Sequence, residues 1–279
     1  MTTAFVGPEK GEEMTVATTI PGPTGHRGRK AAARWLIPIA TGVVMIGAWW
    51  LACELFDVPE YLVPSPLDVA RTMNEFRDPL ADHFLTTLSE CLIGFGLSVL
   101  LGVVIGTAIA RSRIIEQIAY PLLVTMNGVS KVAIAPILVV WMGFGQTPKV
   151  VMVVLLCIFS IILSTVAGLR STPAELVDLS RSLSAGDLRE FTKVRFKWAL
   201  PQLFTGLKTA ISLAVIGAVV AELVGSSKGL GYIIVQSGAS ADTSLAFAAI
   251  VLLSVMNIVL FYAFVWLEKV LLPWAEANR

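Results

Sequence analysis

Two histidines, three cysteines and a few charged side chains inside apolar runs are the groups in this sequence whose types could do chemistry. His26 lies in a polar N-terminal tail and His83 between two apolar stretches, so they supply no paired imidazoles for a metal. Cys53, Cys91 and Cys157 each sit in an apolar run, without the CxxC or histidine spacing of a metal site and without an even number for a disulfide framework. They read as small packing residues. Ala52-Cys53 fits a lipoprotein cleavage site poorly, because Trp50 and Leu51 precede it. Lys131 and Glu222 also fall inside apolar stretches, where a charge costs about 2.5–3.5 kcal/mol on insertion scales and so turns toward protein or water. Three roles are open to them: the acid–base couple of an intramembrane enzyme, an interior ion pair locking two helices, or the lining of a polar path. Thr125 and Asn127 lie near Lys131 and share the last of these roles, whereas Glu90 reads most simply as a residue of the outer interface. No G-x-x-x-x-G-K-[ST] loop is present, so the chain cannot be an ATP-binding subunit.

The elements that must position these groups follow from composition. Of 279 residues, 56% are hydrophobic and 15% charged, and the mean hydropathy is +0.78. Soluble domains carry about 25% charged residues, so this chain belongs in a membrane. A formal charge of +1 excludes a globally basic nucleic-acid binder. Crossing a ~30 Å hydrocarbon core takes about 20 apolar residues as helix, with every backbone group paired internally. Runs at 35–53, 85–110, 118–143, 150–169, 203–224 and 245–267 approach that length, which predicts an all-α polytopic membrane protein of about six transmembrane helices. Asn127-Gly128, Ser130-Lys131 and Pro136 interrupt the third run, so a broken helix is expected there. Residues 1–34 read as a disordered tail, with Met14 an alternative start; 35–274 form the membrane domain and 275–279 its tail end. The tail is no secretory signal, since its apolar run begins late and is long. Placing both termini in the cytoplasm puts roughly sixteen Lys and Arg inside and about four outside, as the positive-inside bias requires.

The connection 171–201 is far longer than two membrane helices need. Thr172 with Glu175 forms a capping-box pattern around Pro173, and Leu176, Leu179 and Leu183 fall on one helical face. Gly186 can supply a left-handed stop; Asp187 and Glu190 repeat the box, Leu188, Phe191 and Val194 give a second stripe, and Pro201 marks the start of the fifth span. Two amphipathic helices over 172–200 are therefore expected. With Arg181, Arg189, Lys193, Arg195 and Lys197 they suit anionic headgroups or a soluble partner equally well.

The run Asp178-Leu179-Ser180-Arg181-Ser182-Leu183-Ser184-Ala185-Gly186, followed by Ala199-Leu200-Pro201 and Thr205-Gly206-Leu207-Lys208, resembles the cytoplasmic EAA loop of ABC importer permeases. Val63-Pro64-Ser65-Pro66, Lys131 to Pro136, Trp141 to Lys149, Ala221-Glu222-Leu223 and Gly229-Leu230-Gly231-Tyr232 agree, in the manner of the nitrate, sulfonate, taurine and bicarbonate type. The resemblance runs from about 35 to 274. It implies a type I importer permease of the bacterial inner membrane, without cofactor or enzymatic activity of its own. Its partners would be a second permease copy, two ABC ATPase subunits and an external solute-binding protein. Asp178, Leu179, Ser180, Ser184, Ala185 and Gly186 would meet the ATPase, and Gly225, Lys228, Gly229 and Gly231 the binding protein or a gate. Thr125, Asn127, Lys131 and Glu222 would line the path of a small organic or inorganic anion, such as a sulfonate, nitrate or carboxylate. Four positions depart from the pattern: Asp178 replaces Glu, Ser184 replaces Gly, and Lys197 and Ser130 stand where prolines are common. The second change is expected to move the turn residue to Gly186.

Overall fold

A chain in lipid has no water to satisfy its backbone, so long apolar runs must close their hydrogen bonds within themselves. The computed structural model describes residues 27–56, 59–184 and 186–276, and among these no strand occurs. The chain divides into two units, residues 1–51 and 52–279. Most of α1 (Arg27–Leu55) belongs to the first, and it starts ahead of the apolar run because Arg, Lys and Ala at 27–34 are good helix formers. These residues were assigned to the tail by sequence; residues 1–26 lie outside the described ones.

In the second unit, α3 (Arg77–Arg111), α6 (Gln146–Arg170), α9 (Phe196–Gly225) and α11 (Thr243–Leu271) are each long and apolar enough to cross a membrane. The expected break in the third run is present. There α4 (Arg113–Gly128), a 3-10 turn (Lys131–Ile134) and α5 (Ala135–Met142) bend by 80°. Pro136 stands in the first turn of α5, where its missing N–H does no harm.

Two helices sit in segments that sequence left as loops. Ser65 accepts a hydrogen bond from the Asp68 amide at 3.3 Å and starts α2 (Pro66–Glu75). The helix α10 (Leu230–Ala239) follows the glycines of the 225–231 segment directly. The remaining short helices are α7 (Ala174–Ser182) and α8 (Asp187–Glu190), both in the long connection, and α12 (Pro273–Glu276) at the C-terminal end.

The core is the triad α3, α6 and α9. Leucine gains little by leaving lipid for protein, so such helices cohere where small residues let backbones approach. A Cβ at Gly94 would lie 2.5 Å from Val153 Cβ, at Gly102 2.9 Å from Ile161 Cβ, and at Gly106 2.7 Å from Thr165 Cβ. On the other side of α6, Cys157 Sγ donates to the Ala210 carbonyl at 3.1 Å, and Gly206 and Gly217 admit Ser164 and Val153. Cys91 and Cys157 are buried and all three cysteines are free thiols, in line with a packing role.

Gly106→Val drives a branched side chain into the buried, equally branched Thr165, and overpacking of this kind costs about 1–3 kcal/mol. Thermal unfolding in mild detergent should show the loss. Gly96→Val, at a site where a Cβ meets nothing within 4 Å, should leave the midpoint in place.

Candidate functional site

One end of the triad carries a buried polar cluster. His83, Thr87 and Glu90 occupy one face of α3 at intervals of four and three residues, and Lys149 lies in the first turn of α6. Lys149 Nζ donates to Glu90 Oε1 at 2.6 Å and to the Lys228 carbonyl at 3.3 Å. Exposure is 2% for Glu90, 5% for Lys149 and 1% for Glu222. The cluster also caps α10. The Gly229 amide donates to His83 Nδ1 at 2.9 Å, the Leu230 amide to Thr87 Oγ1 at 2.9 Å, and the Gly231 amide to Glu222 Oε2 at 2.7 Å. Thr87 Oγ1 in turn donates to Glu222 Oε1 at 2.7 Å. Amides orphaned at a helix start are thus satisfied from α3 and α9, with a carboxylate at the positive end of the helix dipole. Gly229 has φ +114, and a Cβ there would run into the Glu222 carboxylate.

Several sequence expectations change here. Lys131 and Glu222 do not pair: Lys131 is bound to Asn127, and Glu222 to Thr87 and the Gly231 amide, so the interior ion pair expected between them is not formed. Glu90 is no interface residue but the buried partner of Lys149. Gly229 and Gly231 serve the close approach to Glu222, and Gly225 lets Val139 come near, while Lys228 reaches Asp82 at the surface at 3.3 Å. His83, Thr87 and Lys149 were missed as site residues. The polar stripe 83, 87, 90 within an apolar helix was their available signal.

At the opposite end lies the long connection. In it α7 and α8 form a hairpin, and one π turn (Phe191–Arg195) makes α8 continuous with α9. Neither capping box forms. Thr172 Oγ1 donates to the Leu169 carbonyl at 3.2 Å, and Glu190 is turned inward. Pro201 stands inside α9 rather than at its start. Gly186 has φ −66; the left-handed residue is Ser184, with φ +57. The serine therefore keeps the turn at the position where the family pattern has glycine, at a cost of about 1–2 kcal/mol.

Glu190 fastens the hairpin. Its Oε1 accepts from Arg195 at 2.8 Å and its Oε2 from Arg181 at 3.1 Å. The Arg195 hydrogen bond, supported by Arg181, holds this carboxyl below the usual range against the opposing effect of burial. Val177 and Ser180 face inward, and Ser180 Oγ donates to the Val177 carbonyl at 2.8 Å. The leucine stripe faces outward instead: Leu179 is 56%, Leu183 75% and Leu188 74% exposed. Asp178, Ser184 and Gly186 are exposed beside it. Ala185 lies outside the described residues.

At the break in the third span, Lys131 Nζ donates to Asn127 Oδ1 at 3.0 Å and sits 5.4 Å from the centre of the Phe159 ring. Thr125 Oγ1 is turned back to the Pro121 carbonyl at 2.9 Å. The structure therefore brings together two of the four expected path residues, and places Glu222 in the cluster described above.

A helical bundle of long apolar segments with a broken span and a fastened helical hairpin at one end defines a polytopic membrane subunit. Residues 98–272 match the binding-protein-dependent transport system inner membrane component family, and the chain belongs to that family of ABC importer permeases, whose ATP hydrolysis resides in a separate subunit. It is 36% identical over 234 residues to a probable ABC transporter permease protein of Haemophilus influenzae, covering 84% of this chain and 96% of that one. It is 34% identical over 248 residues to the formylaminopyrimidine transport permease ThiX of Halalkalibacterium halodurans, covering 88% and 99%. The aliphatic sulfonates transport permease SsuC of Bacillus subtilis, named as putative, is 29% identical over 252 residues, covering 90% and 91%. Among solved structures, an inward-facing MetNI methionine ABC transporter superposes with a TM-score of 0.62 at 18% identity, covering 70% of this chain and 97% of that one. It shares the fold.

Lys149→Met strands the Glu90 carboxylate without its cation in the interior, which costs about 3–5 kcal/mol. The variant should unfold at a clearly lower temperature in detergent. Adding Glu90→Gln removes the orphaned charge, and the double variant should recover most of the loss.

Proposed function

We propose that this chain forms half of the translocation path of an ATP-driven importer, as one copy of a homodimer. In this reading the hairpin of α7 and α8 faces the cytoplasm together with both termini, and two ATPase subunits grip it. An external solute-binding protein meets the opposite end, near Lys228. The observation that carries the reading is the outward stripe Leu179, Leu183 and Leu188 on a hairpin that Glu190 binds to the base of α9. An apolar surface presented this way marks a contact for a partner. Through the unbroken helix 187–225, movement of the hairpin would reach Glu222 and the capped start of α10. Nucleotide state would then bias two membrane conformations that alternate access.

The substrate in this reading is a small solute with an anionic or hydrogen-bond-accepting group, which Lys131 and Asn127 contact in transit. Relatives are named for formylaminopyrimidine, riboflavin and aliphatic sulfonates, all compatible with such a donor pair.

Asp178→Ala and Leu183→Asp should leave membrane insertion intact while abolishing both co-purification of the ATPase and coupled uptake; wild-type values for both variants would overturn the docking surface. Lys131→Ala should lower uptake of the accepted solute by about tenfold, the loss of one charge-assisted hydrogen bond. A panel of taurine, an alkanesulfonate and riboflavin identifies that solute, and unchanged affinity and rate would remove Lys131 from the path.

A further inference from the structure

Beneath the hairpin is a cavity of about 290 Å³ whose walls include Arg111 at the end of α3, Arg170 at the end of α6, and Arg181 and Arg195 of the connection. Two carboxylates, Asp187 and Glu190, also line it. Glu190 is committed to Arg181 and Arg195, and Arg170 makes a two-point pair with Glu116 of α4. Counting Glu116 with the lining residues still leaves one positive charge in excess. Arg111 is exposed and makes no ion pair among the described residues. Beside these guanidinium groups the wall is apolar, formed by Ala110, Leu169 and Phe191.

The cavity lies where α3 and α6 end, at Arg111 and Arg170, just past their apolar segments. Planar guanidinium groups match phosphate oxygens two at a time, and an apolar wall next to them matches a glycerol and the start of an acyl chain. Sites for small molecules span roughly 300–1,000 Å³, and this volume, at the lower end of that range, admits a phosphate ester headgroup. We propose that the cavity holds the phosphate ester of an anionic phospholipid, which bridges Arg111 of the bundle to the arginines of the hairpin. This assignment requires only that the bundle lie in a membrane. It does not rest on the ATPase reading.

The test is native mass spectrometry of the intact transporter, with its ATPase subunits, released from micelles containing graded phosphatidylglycerol or phosphatidylcholine. One phosphatidylglycerol per permease copy should be retained in preference to phosphatidylcholine. Arg111→Gln should weaken that retention about fivefold, the effect of one basic residue at a lipid surface. Arg111→Lys should keep most of it, which separates lost charge from lost folding, and Lys197→Gln, on an exposed site outside the cavity, should change nothing. Equal retention of both lipids, an unaffected Arg111→Gln variant, or an equal loss in Lys197→Gln would overturn the proposal. So would displacement of the lipid by inorganic phosphate alone, which would assign the cavity to a free phosphate. ATPase co-purification, recorded in the same spectra, reports independently on the docking surface.

Discussion

Between helices in lipid, burying leucine gains almost nothing over contact with acyl chains, so cohesion has to come from close backbone approach and from polar groups that lipid cannot satisfy. The triad of α3, α6 and α9 uses both. Gly94, Gly102 and Gly106 bring α3 onto α6, and Gly206 with Gly217 brings α9 onto its other side. With the three axes fixed at this spacing, the side chains at either end have little freedom left. Glu90 and Lys149 come within 2.6 Å of each other, and the hairpin is set on the base of α9.

The polar cluster turns that geometry into a joint. An isolated charge buried as Glu90 and Lys149 are would be costly, and a pair gains little net stability over apolar residues of the same shape. Its value here is positional. Thr87, His83 and Glu222 receive the first amides of α10, so this helix cannot move without disturbing α3 and α9 together. The opposite end is built in the same way: Glu190 receives Arg181 and Arg195 and joins α7 to the helix that becomes α9. One continuous helix therefore has a charged fastening at each end. This is the arrangement a lever requires, and it supports the reading in which force applied to the hairpin reaches the far side of the bundle.

Of the six expected spans, four and the break in the third were legible because they depend on local facts: apolar length, Gly128, and Pro136 at a helix start, whereas the described apolar part of α1, Ala40–Leu55, is shorter than a crossing requires. The pairing of charges was not. Lys131 lies within one apolar run and Lys149 at the edge of the next, and nothing in the periodicity of a single chain says which helices are neighbours. Lys149 falls just ahead of the run predicted at 150–169, because α6 begins several residues before the apolar run does. The helix α10 was hidden by its own glycines, which resemble a flexible linker until Glu222 is seen lying beneath them. Ser184 misled for a similar reason. A serine is disfavoured at positive φ, so the turn was assigned to Gly186, while Glu190 and its two arginines constrain the hairpin strongly enough to hold the serine there.

Two lysines near membrane depth thus meet different fates, and the contrast bears on function. Lys149 is neutralised by a buried carboxylate, and its ammonium is further occupied by the Lys228 carbonyl. Lys131 has a neutral amide and an aromatic face as its partners. Neither cancels its charge. Lys131 is only partly buried and its bond to Asn127 is exposed, so its charge stays open to a third group, and Glu222, the glutamate best suited by sequence to pair with it, is instead committed to Thr87 and the Gly231 amide. In the proposed reading, an anionic or strongly accepting solute passing the break would pair with that charge for the time it is bound and leave it again. Weak, transient neutralisation of this kind is what a transport path needs, since a site that held its solute as Glu90 holds Lys149 would not release it.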